Sequence, residues 1–187
     1  MATQNAVNRD DRTPFRVIVL SVLLIVALVT LAVTVIRGLE TQPPIVIESV
    51  TLRQELHAVS IIYGKVGGKC DDYRLAEMTA RVAMEAGVDA GLLAAIVAVE
   101  STCNHLAISK AGAVGLAQVN VKVWGPEHGD WWLINLFHPQ QNLEVAARIL
   151  KQMVERYGIE KGVERYCGAG PEARAYAKKV MRLWRGR

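Results

Sequence analysis

Three cysteines and four histidines are all the thiol and imidazole groups that this chain of 187 residues offers a metal ion. No histidine stands at zinc-ligand spacing from a cysteine, so metal chemistry is not expected. Blocks of Lys or Arg are missing as well. The 22 basic and 18 acidic residues give a net charge of +4, and the basic residues are spread along the chain. The lack of such blocks argues against a nucleic-acid partner, and the mild positive balance suits an anionic partner or a membrane surface. Internal repeats and low-complexity tracts are also absent. What is left is long enough for one domain with its own core and too short for two large ones.

The longest absence is of charge. Residues 17–36, VIVLSVLLIVALVTLAVTVI, hold no charged side chain over twenty positions. A helix of that length spans the roughly 30 Å hydrocarbon core of a bilayer. The run is longer than the apolar region of a signal peptide and passes into Val35-Ile36-Arg37 without a small-x-small cleavage site, so it predicts an uncleaved anchor. Arg9, Arg12 and Arg16 precede it, against Arg37 and Arg53 behind it, which favours a cytoplasmic N-terminus and an exported C-terminal domain. The expected organisation is a cytoplasmic tail at 1–16, a transmembrane helix at 17–36, a linker at 37–50 broken by Pro43-Pro44, and a folded domain at 51–187. In an exported domain Cys70, Cys103 and Cys167 permit one disulfide with one thiol left over, and all three pairings stay open.

Beyond the linker the pattern is helical. Thr51 with Gln54 reads as a capping box for a helix whose stripe is Leu52, Leu56, Val59 and Tyr63, stopped by Gly64. Asp71 or Asp72 caps a second helix through Leu75, Met78, Val82 and Ala86, ended by Gly87. Asp89 caps a third, Ala90 to Ser101. Residues 107–132 lose periodicity and carry five of the glycines and prolines that mark a loop with a small hairpin. Pro139 opens a helix with Leu143, Ala146, Leu150, Met153 and Tyr157 on one stripe, closed by Gly158, and Pro171 opens the last, to Trp184.

The third helix ends in a carboxylate. Leu93, Ile96 and Val97 lie seven, four and three positions before Glu100, so the glutamate falls on or beside the apolar stripe. In the last turn the helix dipole also opposes its ionisation. Burial and dipole both raise the pKa, and a carboxylic acid that keeps its proton near neutrality is the general acid a glycosidase needs. Downstream, Gly112 and Gly115 read as turn formers, and Ser109 and Gln118 supply polar groups.

The run Glu100-Ser101, Ala107, Ser109, Gly112-Ala113, Gly115-Leu116 and Gln118 resembles the signature of the soluble lytic transglycosylase family, which has a goose-type lysozyme-like fold. Leu136-Phe137-His138-Pro139 followed by Asn142, Tyr166 followed by Gly168, and Tyr176 carry the resemblance over about residues 70–184. It implies a mainly α, lysozyme-like helical domain with a small loop or hairpin insertion, preceded here by the one transmembrane helix. It also implies cleavage of the β-1,4 bond between N-acetylmuramic acid and N-acetylglucosamine in peptidoglycan, with a 1,6-anhydro product. Glu100 matches the single acid/base, Ser109 and Gln118 match polar positions lining the cleft, and Tyr166 and Tyr176 match tyrosines near the acid. No metal or organic cofactor is implied.

The chain departs from the family pattern at Cys167, where asparagine is usual, at Ala117 for methionine, at His105 for proline and at Ala146 for glycine. Cys167 beside the motif points to a disulfide to Cys103 or to a free buried thiol. Glu127, Asp130 and Glu144 are the nearby carboxylates that a two-carboxylate scheme would recruit. Trp124, Trp131 and Trp132 read as core more than as sugar platforms. Arg174, Lys178, Lys179, Arg182, Arg185 and Arg187 read as a solvated helix face. The expected enzyme is anchored in the inner membrane, acts on peptidoglycan strands from the periplasmic side and binds no nucleic acid. A goose-type muramidase or a catalytically silent wall-binding or assembly module are the rival readings, and growth, a secretion machine and a bacteriophage are all open as settings.

Overall fold

The computed structural model describes residues 13–40, 45–125 and 134–186, with side chains described for 20–34, 49–125 and 134–186. Contacts divide the chain into two units, 1–47 and 48–187. The first carries helix α1, Thr13–Glu40. Its described apolar side chains are uncovered: Leu20, Leu23, Leu24, Ile25, Leu28 and Leu31 are 57% to 66% exposed. Thr30 and Thr34 turn their hydroxyls back onto the carbonyls of Ala27 and Leu31, at 2.9 and 2.8 Å, so neither asks for an outside partner. The described side chains, 20–34, make up about 22 Å of helix at 1.5 Å per residue, and no helix among the described residues is long and apolar enough to cross a membrane. The two ends of the expected span at 17–36 fall among side chains that are not described.

Helix α2, Ile45–Val66, starts directly after Pro43-Pro44 and runs on through Gly64. The capping box expected at Thr51 and Gln54 is therefore overturned: both lie inside the helix, where the backbone N–H groups are already bonded to the preceding turn. Helical structure likewise fills much of the expected linker, with α1 reaching Glu40 and α2 beginning at Ile45. A single 3-10 turn, Gly68–Cys70, leads into α3, Tyr73–Ala86. There Asp72 accepts from the N–H of Arg74 at 2.8 Å, and Gly87 stops the helix in the left-handed region at φ 71°. Helix α4, Ala90–Ser101, is capped by Asp89, which accepts from Leu92 N–H at 2.7 Å.

The expected apolar stripe of α4 proves to be its whole circumference, since every residue from Ala90 to Ala98 is buried. A helix apolar all round belongs at the centre of a core. Leu93, Ile96 and Val97 are completely buried there, each contributing about 1.5–3 kcal/mol. Short α5, Val121–Trp124, follows the loop, and then come α6, Pro139–Tyr157, α7, Ile159–Cys167, and α8, Pro171–Arg185. Helix α4 packs against α3 and α8, while α6 packs against α3 and α7. Side chains pin these pairs. Tyr63 of α2 donates to Thr79 of α3 at 2.9 Å, Thr79 donates on to the Leu75 carbonyl at 2.8 Å, and Trp184 of α8 donates to Asp89 at 2.9 Å.

Helix α7 has no counterpart in the pattern of the sequence. Gly162 stands in its middle, and a Cβ there would lie 2.8 Å from the Met153 carbonyl and from the Val154 backbone. The glycine is a contact point between α6 and α7, not a helix breaker. Tyr157, expected on the buried stripe of α6, is instead 40% exposed, with the guanidinium groups of Arg156 and Arg165 over its ring at 5.4 and 5.6 Å. The basic side chains of α8 from Arg174 to Arg185 are exposed, as a solvated face would be. Trp124 is partly buried against the core, and Trp131, Trp132, Glu127 and Asp130 lie outside the described residues.

The disulfide joins Cys70 to Cys103, with Cα atoms 5.1 Å apart. Helices α3 and α4 form a hairpin across a connection of three residues, so the start of the first and the end of the second meet, and each cysteine sits just beyond such an end. This overturns the pairing of Cys103 with Cys167. Cys167 is a free thiol, exposed and not buried, because it ends α7 on the outside.

Candidate active site

Glu100 stands in the last turn of α4, after nine buried residues and immediately before a strained exit. Thr102 and Cys103 both adopt left-handed backbone, φ 52° and 61°, a conformation unfavourable for any residue with a Cβ and most of all for a β-branched one. The strain is held by neighbours: Cys103 is bonded to Cys70, and Ser101 donates its hydroxyl to the Leu116 carbonyl at 2.6 Å. The chain thus leaves the helix sharply and returns as the loop that covers the helix end.

That loop, 104–119, contains two isolated β-bridges, Ile108 to Val114 and Val114 to Val119. Its inner part is hung from the helical body by side chains. The N–H of Ala117 donates to the Oδ1 of fully buried Asn142 at 2.9 Å, and the Ala117 carbonyl accepts from the Tyr166 hydroxyl at 2.8 Å. The Asn142 Nδ2 donates to the carbonyls of Val114 and Leu136 at 2.8 and 2.9 Å. Gly115, φ 80°, is required twice over, because a Cβ would overlap Asn142 and the Leu136 carbonyl. It is a point of close approach as well as the turn former the sequence suggests.

Ser109 and Gln118 are engaged within the loop. The Ser109 hydroxyl oxygen accepts from Ala113 N–H at 3.0 Å, closing the turn through Gly112. Gln118 donates its Nε2 to the carbonyls of Ala107 and Gly115 at 3.2 and 3.0 Å, itself in the left-handed region at φ 49°. Both of its amide protons are committed to loop shape, and no hydrogen bond among the described residues engages its carbonyl oxygen.

Around the carboxyl the structure brings together Tyr166, Tyr176 and Cys167. Burial pushes Glu100 from the ordinary 4.5 up to about 7, and hydrogen bonding from Tyr176 opposes the rise. Burial, with the negative charge of Glu100 next, raises both tyrosines well above their usual value. Partial desolvation of its inward side, and then Glu100 and Glu172, raise the otherwise exposed Cys167 thiol, which keeps it protonated. The two tyrosines differ. Tyr166 is buried with its hydroxyl given to Ala117, whereas the buried Tyr176 hydroxyl has no partner at full hydrogen-bond distance and angle. It is close enough to Glu100 to act on the carboxyl, yet not locked to it.

No carboxylate among the described residues contributes to the shift of Glu100. Glu144 accepts from Gln140 at 2.9 Å and lines a separate hollow with Arg148 and Lys151. A larger cavity of about 650 Å³ adjoins the exit from α4 through Cys103, Asn104 and Leu116, but Glu100 does not line it. Glu100 is therefore marked out by its buried helix end and its tyrosines, not by that cavity. Ser101 and Asn142, which the sequence offers only as parts of a pattern, are the residues that hold the loop to the acid. Their signal was a polar type at positions the helix periodicity assigns to the core.

The transglycosylase SLT domain family matches residues 77–179, more than half of the chain. Over 101 residues the chain is 33% identical to the endo-type membrane-bound lytic murein transglycosylase A of Cronobacter sakazakii (strain ATCC BAA-894), which covers 50% of this chain and 46% of that protein. The chain thus spans about half the length of this curated relative. No solved structure matches. With the match running from α3 into α8 and enclosing Glu100, its loop and both tyrosines, the chain belongs to the transglycosylase SLT domain family.

Proposed function

We propose that this protein is a peptidoglycan lytic transglycosylase in which Glu100 is the sole acid/base. The observation that carries the reading is a carboxyl held at about pKa 7 at the end of a fully buried helix, with tyrosines as its neighbours and no described carboxylate acting on it. Protonated Glu100 gives its proton to the oxygen linking N-acetylmuramic acid to N-acetylglucosamine, and the bond from the muramyl C1 to that oxygen breaks. The carboxylate then takes the proton of the muramyl 6-hydroxyl as that oxygen bonds to C1. The acid is restored, a 1,6-anhydro end and a free 4-hydroxyl remain, and no water is consumed. The unpartnered Tyr176 hydroxyl is suited to follow the carboxyl through both protonation states, while Tyr166 fixes the loop. Ser109 and Gln118 contribute mainly by shaping that loop, with the Gln118 carbonyl oxygen turned to substrate.

Digestion of purified peptidoglycan followed by mass spectrometry tests this. Products one water lighter than those of a muramidase are expected, and Glu100→Gln is expected to lower the rate by about 10²- to 10⁴-fold. Products with reducing ends would make the enzyme a hydrolase, and undiminished function of a folded Glu100→Gln protein would make it a wall-binding module.

The anchor belongs to the same proposal. Residues 17–36 cross the inner membrane with the N-terminus inside and the enzymatic domain on the periplasmic side. Support comes from the uncharged run, from α1 extending over Thr13–Glu40, from its uncovered Leu and Ile side chains, and from threonine hydroxyls satisfied within the helix. Membrane fractionation after an alkaline wash checks it: an integral anchor stays with the pellet.

A further inference from the structure

The cavity of about 650 Å³ beside the exit from α4 lies outside the acid's immediate surroundings and has its own chemistry. One wall is the stretch 68–75 that leads into α3, and the other is the turn 103–106 that leaves α4. The bond between Cys70 and Cys103 ties the bases of these walls together, so the gap is set by covalent structure. Its floor is apolar, with Leu75 and Leu116 buried and Met78 half-buried. Its rim carries both signs of charge, Lys69 and Arg74 against Asp71, all exposed and none in an ion pair among the described residues. Asp72 differs, since it is committed to capping α3.

The site offers cationic groups, an anionic group and an apolar floor, with the exposed ring of Tyr73 beside them. A short peptide with free carboxylates, an amine and small apolar side chains uses all three. Its size also fits: pockets of roughly 300–1,000 Å³ hold ligands of a few residues. Leu116 forms part of the floor, and its carbonyl is the group that Ser101, next to Glu100, holds. The cavity and the surroundings of Glu100 thus share Leu116 as a common structural element.

We propose that this cavity receives the peptide branch of peptidoglycan, with Lys69 and Arg74 on its carboxylates and Asp71 on its ammonium group. This rests on the substrate proposed above, and the test separates the two. The full chain in detergent is given intact peptidoglycan and, in parallel, glycan strands whose peptides an amidase has removed. Wild type is expected to cut stripped strands about tenfold more slowly, through KM. Arg74→Ala and Asp71→Asn are expected to slow cleavage of intact material severalfold and leave stripped strands unaffected, which also shows that they fold. Equal rates on both substrates, or losses of equal size on both, overturn the proposal. In a second arm the Glu100→Gln protein is titrated with a synthetic tetrapeptide that carries a free carboxylate and a free amine, followed by NMR. Shifts at Tyr73 and Met78 that Arg74→Ala abolishes support the peptide site even if neither glycan is cut, and their absence overturns it.

Discussion

The two halves of the loop over the acid are built on different principles. The inner half, 114–119, is fastened to the helical body by Ser101, Asn142 and Tyr166, each with a hydrogen bond to loop backbone. The outer half, 104–113, is fastened chiefly to itself, through Asn104 to Leu106 N–H and the Ser109 turn. There Leu106 and Ile108 are 60% and 65% exposed. Backbone beside Glu100 is positioned by buried or part-buried side chains, which have one low-energy arrangement. Backbone at the rim needs only a local shape.

Gly115→Ala should break the inner half most severely, because both the positive φ and the contact with Asn142 forbid a Cβ. A loss of about 4 kcal/mol or more is expected in urea unfolding. Asn142→Leu leaves the Ala117 N–H and the Leu136 carbonyl unpaired in the core, while the Val114 carbonyl keeps the Val119 N–H, which costs about 3 kcal/mol. Both variants should also lose activity.

The acid itself sharpens the contrast through pH. With Glu100 at about 7 in the fold against an ordinary 4.5, the two states hold the same proton below pH 4.5. Between 4.5 and 7 the unfolded chain releases a proton that the fold retains, so stability falls as pH rises and then levels off above 7. Glu100→Gln should therefore raise stability at pH 8 by about 3 kcal/mol, from 1.36 kcal/mol per pKa unit, and leave it unchanged at pH 4. Thermal melts at the two pH values measure this. Turnover should decline above pH 7 with the slope of one proton.

Tyr166→Phe removes the bond to Ala117, at a cost of about 1–2 kcal/mol, whereas Tyr176→Phe removes only a loose contact with the Glu100 carboxyl and should change stability by less than about 0.5 kcal/mol. Activity should separate them in the other direction, with Tyr176→Phe slowing the chemical step. The smallest effect belongs to the outer half: Ser109→Ala should cost about 0.5–1 kcal/mol, and much of its loss should be local, visible as faster amide exchange at Ala113.

What the sequence disclosed follows the same division. Helices α3, α4, α6 and α8 were legible because local chemistry marks their ends: Asp72 and Gly87, Asp89, Pro139 and Gly158, Pro171. Glu100 was legible because a carboxylate interrupts an apolar run. Helix α7 was not, because Gly162 carries information about a neighbour and not about its own segment. Thr51 misled because a capping pattern is common inside helices, and the cysteine pairing depended on a hairpin of helices that no spacing reveals. The tasks of Ser101 and Asn142 were equally hidden, since a buried polar residue declares a need for partners without naming them.

The bond between Cys70 and Cys103 closes a stretch of chain 33 residues apart in sequence that includes all of α3 and α4. By chain entropy alone such a closure is worth about 3–4 kcal/mol. In a reducing interior that contribution is withheld, and the turn bearing Thr102 loses the partner that keeps it bent. Under the export proposed above, the domain gains its final rigidity only after leaving the compartment where it is made, so that its destination also completes its assembly.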